Sequence, residues 1–273
     1  MNFTDLQTKG YLVIPNFLNQ DNIDRLLKEY STVLPEFKAN PENVNKNYNS
    51  VSSTYPHGLH DLIYPLLAEI RDKTDIHVDH ASGIGDYLDT DLIHFDWHQD
   101  HETYYMWQNN YHTLNFWMPL IKENPVESGL DVIPFDRLGE YRKLLEGRGA
   151  SRYQTSKDYT IMLDDEWGKT YVLNLRFSDV GETIPISAGD LLILRGDIVH
   201  RTQPKTTPRV AFSIRCTNTQ GWLSYDRFLT RCRRKSITID QHPGMYQLLI
   251  KKFESGNGQV QISEIISEQP NWG

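Results

Sequence analysis

The feature that most constrains this chain is a change of hydrophobic period along its length. In its first third the apolar residues recur at helical spacing, and from about residue 76 they recur at the spacing of strands. Ile23, Leu26, Leu27 and Tyr30 fall on one face of a helix that Asn19 or Asp21 can cap and Pro35 is expected to end. Leu59, Leu62, Ile63, Leu66 and Ile70 predict a second helix, with Pro65 at a kink or at its true start. A short strand, Tyr11–Ile14, comes before both and stops at Pro15. The Asn-rich stretch 39–54 reads as a loop.

Downstream, Tyr171, Leu173, Leu175 and Phe177 alternate with polar residues and predict one face of a strand. Leu191–Leu194 is apolar throughout and follows the turn Ala188-Gly189-Asp190, the pattern of a strand buried on both faces. Arg209–Arg215 forms another strand, with Arg209, Ala211, Ser213 and Arg215 on one face. Helices first and strands later indicate a mainly β core with flanking helices packed outside it. The expected organisation is one domain over residues 1–273: helices at about 19–73, a core at about 76–217 and an extension at 218–273. The polar stretch 136–168 reads as an insertion over the core.

Composition narrows the function. A formal net charge of -8 argues against nonspecific nucleic-acid binding, which needs clustered basic residues. The single basic run, Arg231, Arg233, Arg234 and Lys235, reads as a solvated turn or helix end. Two cysteines, Cys216 and Cys232, make no disulfide framework and fit a reducing compartment. No apolar run approaches the roughly 18 residues of a membrane span, and the first ten residues lack the apolar core of a signal peptide. The expectation is a soluble, cytoplasmic protein acting on a small molecule, with neither nucleic acid nor membrane as partner.

The chemistry is carried by histidines and carboxylates. An iron(II) oxygenase needs two imidazoles and one carboxylate on one face of the metal, with the opposite positions open. On an extended segment His-x-Asp supplies two of the three, because residues i and i+2 point the same way. Three such pairs occur: His77/Asp79, His94/Asp96 and His98/Asp100. The last two share parity, so periodicity does not choose between them. Context favours His98/Asp100. Trp97, His101, Glu102, Tyr104, Tyr105 and Trp107 surround it with the aromatic and hydrogen-bonding groups that line substrate pockets. His200 stands at the end of a strand about a hundred residues on, and Arg209 opens the next one, where a guanidinium can grip a carboxylate with two parallel bonds.

Several of these blocks, in this order, resemble the phytanoyl-CoA dioxygenase-like oxygenases. The resemblance begins at Gly10-Tyr11-Leu-Val-Ile-Pro-Asn-Phe-Leu18 and includes Trp97-His98-Gln99-Asp100. It continues through Phe116–Leu120 and Glu127–Pro134, and ends with Gly189–His200 and Arg209–Ser213. Phe95–Thr103 is similar to the ectoine hydroxylase branch, but Tyr104–Asn109 departs from that pattern, which puts ectoine itself in doubt as substrate. Phe135-Asp136-Arg137 replaces the family's Gly-Ser-His turn, a change expected to reshape a lid.

The resemblance implies a double-stranded β-helix (jelly-roll, cupin-like) core, iron(II), the cosubstrate 2-oxoglutarate, and dioxygen. It assigns iron to His98, Asp100 and His200. It assigns the distal carboxylate of 2-oxoglutarate to Arg209, with Ser213 adding a hydrogen bond, Arg215 as the fallback and Asn115 as a further contact. The implied reaction hydroxylates an unactivated C–H bond and releases succinate and CO2. The aromatic faces of Tyr104, Tyr105 and Trp107 with the Glu102 carboxylate point to a small polar metabolite, an amino acid or amine derivative, as substrate. A radical halogenase and a non-catalytic jelly-roll binding protein are the alternatives. Asp100 argues against the first and the complete triad with Arg209 against the second. A zinc hydrolase would not need the arginine strand.

Overall fold

The computed structural model describes residues 2–39, 51–53, 58–91, 94–100, 112–149, 151–164, 168–226 and 243–268. The first part alternates helix and strand: α1 (Thr4–Thr8), β1 (Tyr11–Ile14), α2 (Gln20–Ala39), β2 (Val51–Ser53) and α3 (His60–Lys73). Pro35 does not end α2, which continues to Ala39. A proline costs the bond to the carbonyl four residues back. Here the loss falls one turn from the helix end, after Ile23, Leu26 and Tyr30 have already buried the apolar face. Pro65 likewise lies inside α3, and Leu62 faces solvent while Ile63, Leu66, Leu67 and Ile70 are buried. The expected loop at 39–54 contains β2, which pairs Val51 with Tyr87.

The strands follow: β3 (His80–Asp89), β4 (Leu114–Lys122), β5 (Leu130–Ile133), β6 (Ser151–Thr155), β7 (Thr160–Asp164), β8 (Lys169–Leu173), β9 (Glu182–Thr183), β10 (Leu191–Arg195), β11 (Val199–Thr202) and β12 (Arg209–Thr217). One antiparallel sheet has the order β1-β10-β4-β12-β3-β2. The other joins β11-β5-β9 to β6-β7-β8 through the extended segment at 97–100, where His98 pairs with His200 on one side and Arg152 on the other. This is the expected mainly β architecture with flanking helices, two antiparallel sheets of jelly-roll type.

Alternation along the large sheet decides what faces where. Phe116, Met118, Leu191, Ile193, Val210, Phe212 and Ile214 point outward and pack with Leu26, Ile63, Leu67 and Ile70 of the helices. Trp117, Leu192, Leu194 and Ala211 point inward and join Val132, Ile133, Tyr153, Met162 and Val199 from the second sheet. Each such large apolar side chain removed from water contributes about 1.5–3 kcal/mol. The site is therefore held between the sheets by a core on both sides of one of them.

The stretch 136–168 is not an insertion over the core. Leu138, Leu145, Tyr153 and Met162 are buried in it, and β6 and β7 extend the second sheet. Phe135 is likewise no lid residue. It packs so closely on Gly10 (φ +89°) that a Cβ there would lie 2.5 Å from its ring. The alternation of Tyr171–Phe177 persists in burial, but the ladder stops at Leu173 and Phe177 opens a short helix. After β12, β13 (Trp222–Ser224) pairs antiparallel with β14 (Gln259–Gln261) across a connection that includes the helix Pro243–Ser255. Leu223, Leu249, Phe253, Val260, Ile262 and Ile265 make a small core of their own there. Cys216 is a buried free thiol, while Cys232 and the basic run 231–235 lie outside the described residues. Among the described residues no helix is long and apolar enough to cross a membrane.

Candidate metal site and anion pocket

The structure brings His98, Asp100 and His200 together, with one donor atom from each within 4.8 Å of the others. Asp100 Oδ1 stands 4.0 Å from His98 Nε2 and 3.7 Å from His200 Nε2. Ligands about 2.1 Å from one ion at right angles would stand about 3 Å apart, so the set is a slightly opened version of that geometry. The imidazoles are oriented from behind: His98 Nδ1 meets the carbonyl of Asp96 at 2.6 Å, and His200 Nδ1 that of Ile198 at 3.0 Å. A carbonyl only accepts, so each Nδ1 carries the proton and each Nε2 presents its lone pair to the common centre.

The other His-x-Asp pairs fall elsewhere. His94 and Asp96 are exposed, and Asp96 contributes its backbone carbonyl to His98. Asp79 is engaged with the Thr219 amide and hydroxyl at 2.7 Å each.

A cavity opens beside the triad, and the arginine face of β12 lines it. Arg209, Ser213 and Arg215 come from β12, Asn115 and Trp117 from β4, Asp86 and Leu88 from β3, and Thr202 from β11. Arg209 is 2% exposed, and among the described residues its side-chain bond is from Nη1 to the Ser128 carbonyl at 3.0 Å. Among the described residues no carboxylate forms an ion pair with it, and its Nε is buried without a partner. Burial brings its pKa down to about 10, offset in part by Asp89, so it remains a cation at neutral pH. Trp117 lines the same cavity, and its Nε1–H is also buried without a partner among the described residues. Unsatisfied buried donors are rare. One on the Arg209 guanidinium and one on the neighbouring indole together fit a carboxylate.

The remaining predicted residues divide. Ser213 donates to Asn115 Oδ1 at 2.7 Å, so the two hold one another. Arg215 reaches Asp100 at 3.5 Å and Ser213 at 3.3 Å, so it is engaged beside the triad. Trp97 turns away from the cavity. It packs edge-on against Phe177 at 5.4 Å, under the Arg201 guanidinium at 4.6 Å, because the residue before His98 must face the opposite side of the strand. His101, Glu102, Tyr104, Tyr105 and Trp107 lie outside the described residues. Sequence reasoning missed Trp117 and Thr202. The signal for Trp117 was parity, since it shares a face with Asn115 two positions earlier.

Comparison with known proteins adds a family-model match and a fold. Residues 90–212 match the family model described as Phytanoyl-CoA dioxygenase (PhyH). No curated protein matches the chain in sequence. Among solved structures the chain is similar to EctD from S. alaskensis, with 14% identity and a TM-score of 0.50 over 85% of this chain and 83% of that one. It is similar also to EvdO2 from Micromonospora carbonacea var. aurantiaca, with 14% identity and a TM-score of 0.50 over 79% of this chain and 89% of that one.

Proposed function

The chain is phytanoyl-CoA dioxygenase-like across residues 90–212, and on that premise we propose that it is an iron(II)- and 2-oxoglutarate-dependent dioxygenase that hydroxylates a small polar metabolite. One observation carries the reading: the His98–Asp100–His200 set shares its cavity with Arg209, a buried cation that forms no ion pair with a carboxylate among the described residues. The donor set is the two-histidine, one-carboxylate triad of non-haem iron oxygenases. His98, Asp100 and His200 would hold the iron, and Arg209 with the Trp117 N–H would take the distal carboxylate of 2-oxoglutarate. Iron, 2-oxoglutarate and dioxygen would together supply the oxidising chemistry, one oxygen atom going to the substrate hydroxyl and the other to succinate, with CO2 released.

The protein's own residues supply position and charge. The Asp96 and Ile198 carbonyls fix the two imidazoles in the metal-binding tautomer. Arg215 sets a positive charge beside the Asp100 carboxylate, with Nη2 3.5 Å from Oδ1. Phe95, Leu88 and Leu130 give the cavity an apolar wall that limits water around the reacting C–H bond. The carboxylate at the third corner favours hydroxylation over halogenation, which needs that position for a halide.

The substrate we propose is an amino acid or other amine derivative rather than an acyl thioester. Asp86 offers an anionic wall to a cationic nitrogen, and the chain's net charge of -8 suits a coenzyme A moiety poorly. The test is succinate release with iron(II), 2-oxoglutarate and a panel of amino acids, cyclic amines and acyl-CoA esters. Coupled turnover with an amine is expected. Coupled turnover with an acyl-CoA and with no amine would overturn the substrate reading, and absence of 2-oxoglutarate turnover with any substrate would count against the enzyme class.

A further inference from the structure

Gln99 stands between two members of the triad and points the other way. On an extended segment alternate side chains face opposite sides, so with His98 and Asp100 in the cavity Gln99 enters the interior behind it and is fully buried. Its amide nitrogen donates to the Leu145 carbonyl at 2.8 Å and to the Asp197 carbonyl at 2.6 Å. Its own carbonyl accepts the Tyr153 hydroxyl at 2.8 Å. The two backbone carbonyls can only accept, so the partners fix which way the amide lies. Burial pushes the Tyr153 phenol up, so it stays a donor.

Asp197 lies three residues before His200, in the turn that ends β10. Its carboxylate takes Arg195 at 2.9 and 2.6 Å and the Gly147 amide at 2.6 Å. Arg195 is itself buried and reaches Glu146 at 3.2 Å. Gln99 therefore joins the segment bearing His98 and Asp100 to the turn that delivers His200.

We propose that the Tyr153–Gln99–Asp197 chain is the positioning element of the metal site, a side-chain cross-link that fixes the spacing of the two ligand-bearing segments. The proposal rests on the reading of the triad as an iron site. Backbone pairing alone holds the two segments well at His98. Toward Asp100 the Asp100 amide donates to the Gly196 carbonyl at the longer distance of 3.2 Å, and the Gln99–Asp197 bond reinforces that end. Outer partners of this kind typically contribute about 10–100-fold to metal affinity. Gln99 touches neither metal nor substrate, so its effect should appear in metal binding before turnover.

The experiment is Co(II) binding to the full-length metal-free protein, read by dissociation constant and visible absorption spectrum, with the Tm of the metal-free protein measured alongside. Gln99→Met keeps length and apolar volume but loses all three bonds, and Tyr153→Phe loses a single hydroxyl and leaves the ring packed on Phe177. The expected result is a dissociation constant raised about 10–100-fold in Gln99→Met and less in Tyr153→Phe, with an altered Co(II) spectrum. Should Gln99→Met fail to fold, Tyr153→Phe decides alone. Dissociation constants and spectra unchanged in the folded variants, with only Tm lowered, would overturn the proposal and leave the network a structural one. Wild-type protein that takes up no Co(II), or His200→Ala that binds it as tightly as wild type, would overturn the iron reading and this proposal with it.

Discussion

His98 and His200 exchange both of their backbone hydrogen bonds, each amide donating to the other's carbonyl at 2.9 Å. Directly opposed residues in an antiparallel pair send their side chains to the same face. The two imidazoles therefore emerge side by side, with ring centroids 4.3 Å apart. Residues about a hundred positions apart in sequence thus become a two-nitrogen chelate through the sheet ladder itself. Asp100, two residues on, reaches the same face by the pleat.

The first prediction concerns that third corner. Asp100→Ala leaves both imidazoles and their carbonyl partners in place but removes the charge that faces Arg215 at 3.5 Å. Metal affinity should fall by more than the about 10–100-fold typical of an outer partner, and 2-oxoglutarate-dependent hydroxylation should be lost. Isothermal titration with Fe(II) under anaerobic conditions and a succinate assay measure the two. Near-native hydroxylation in the variant would remove Asp100 from the ligand set.

The triad was legible because parity and spacing are properties of the sequence itself. The choice of His98/Asp100 over His94/Asp96 was not legible from parity, since both pairs satisfy it. Pairing with His200 decides it, and that is a long-range relation. Arg209 was legible as a strand-opening cation on the face of Ser213 and Arg215. What sequence could not show is that no carboxylate among the described residues forms an ion pair with it, because that depends on every element packed around it. The stretch 136–168 was misread because charge at its surface hid a period of two in Ser151, Tyr153, Thr160, Met162 and Asp164, all buried. Pro35 misled for a thermodynamic reason: one lost hydrogen bond near a helix end is a small cost against the tertiary packing already made.

A second prediction concerns acid stability. His112 Nδ1 accepts the His77 amide at 3.2 Å, which requires that nitrogen to be unprotonated. Burial, followed by the nearby His77 and Arg195, brings the His112 pKa down to about 4. In the unfolded chain an ordinary imidazole titrates near 6.5. Between those values the unfolded chain binds a proton that the folded chain refuses. This part of the stability is therefore intact above about pH 6.5 and falls as pH drops toward 4. His112→Gln should flatten the decline in denaturation midpoint between pH 7 and pH 4.5. Parallel curves for variant and wild type would show that His112 does not set the acid limb.

A third prediction tests the cation. Arg209→Lys keeps the charge and loses the planar fork. Bonds to charged groups contribute about 1.5–3 kcal/mol each, so losing one should weaken 2-oxoglutarate by about 10–100-fold. The Michaelis constant for 2-oxoglutarate should carry that change, with Fe(II) affinity close to native, since Arg209 makes no contact with the triad. An unchanged Michaelis constant would transfer the role to Arg215.

The last prediction separates an anion pocket from an ordinary core position, and it turns on Trp117. The indole N–H is buried without a partner, and so is the Arg209 Nε, 5.6 Å being the distance from the Arg209 guanidinium carbon to the Trp117 ring. A buried donor left unpaired costs about 1–3 kcal/mol, and a ligand that accepts from it recovers part of that cost on binding. Trp117→Phe keeps an aromatic ring between β10 and β12 and removes only the donor. The variant should therefore bind Fe(II) as wild type does but 2-oxoglutarate less tightly, by roughly the factor of 10–100 that one hydrogen bond to a charged group contributes. The measurement is the rise in Tm on adding saturating 2-oxoglutarate to the metal-loaded protein, because a ligand bound only by the folded state stabilises it in proportion to the logarithm of its affinity. A smaller rise in the variant is expected. An equal rise would mean that the indole N–H stays unpaired in the complex, and the anion would then rest on Arg209 without help from β4.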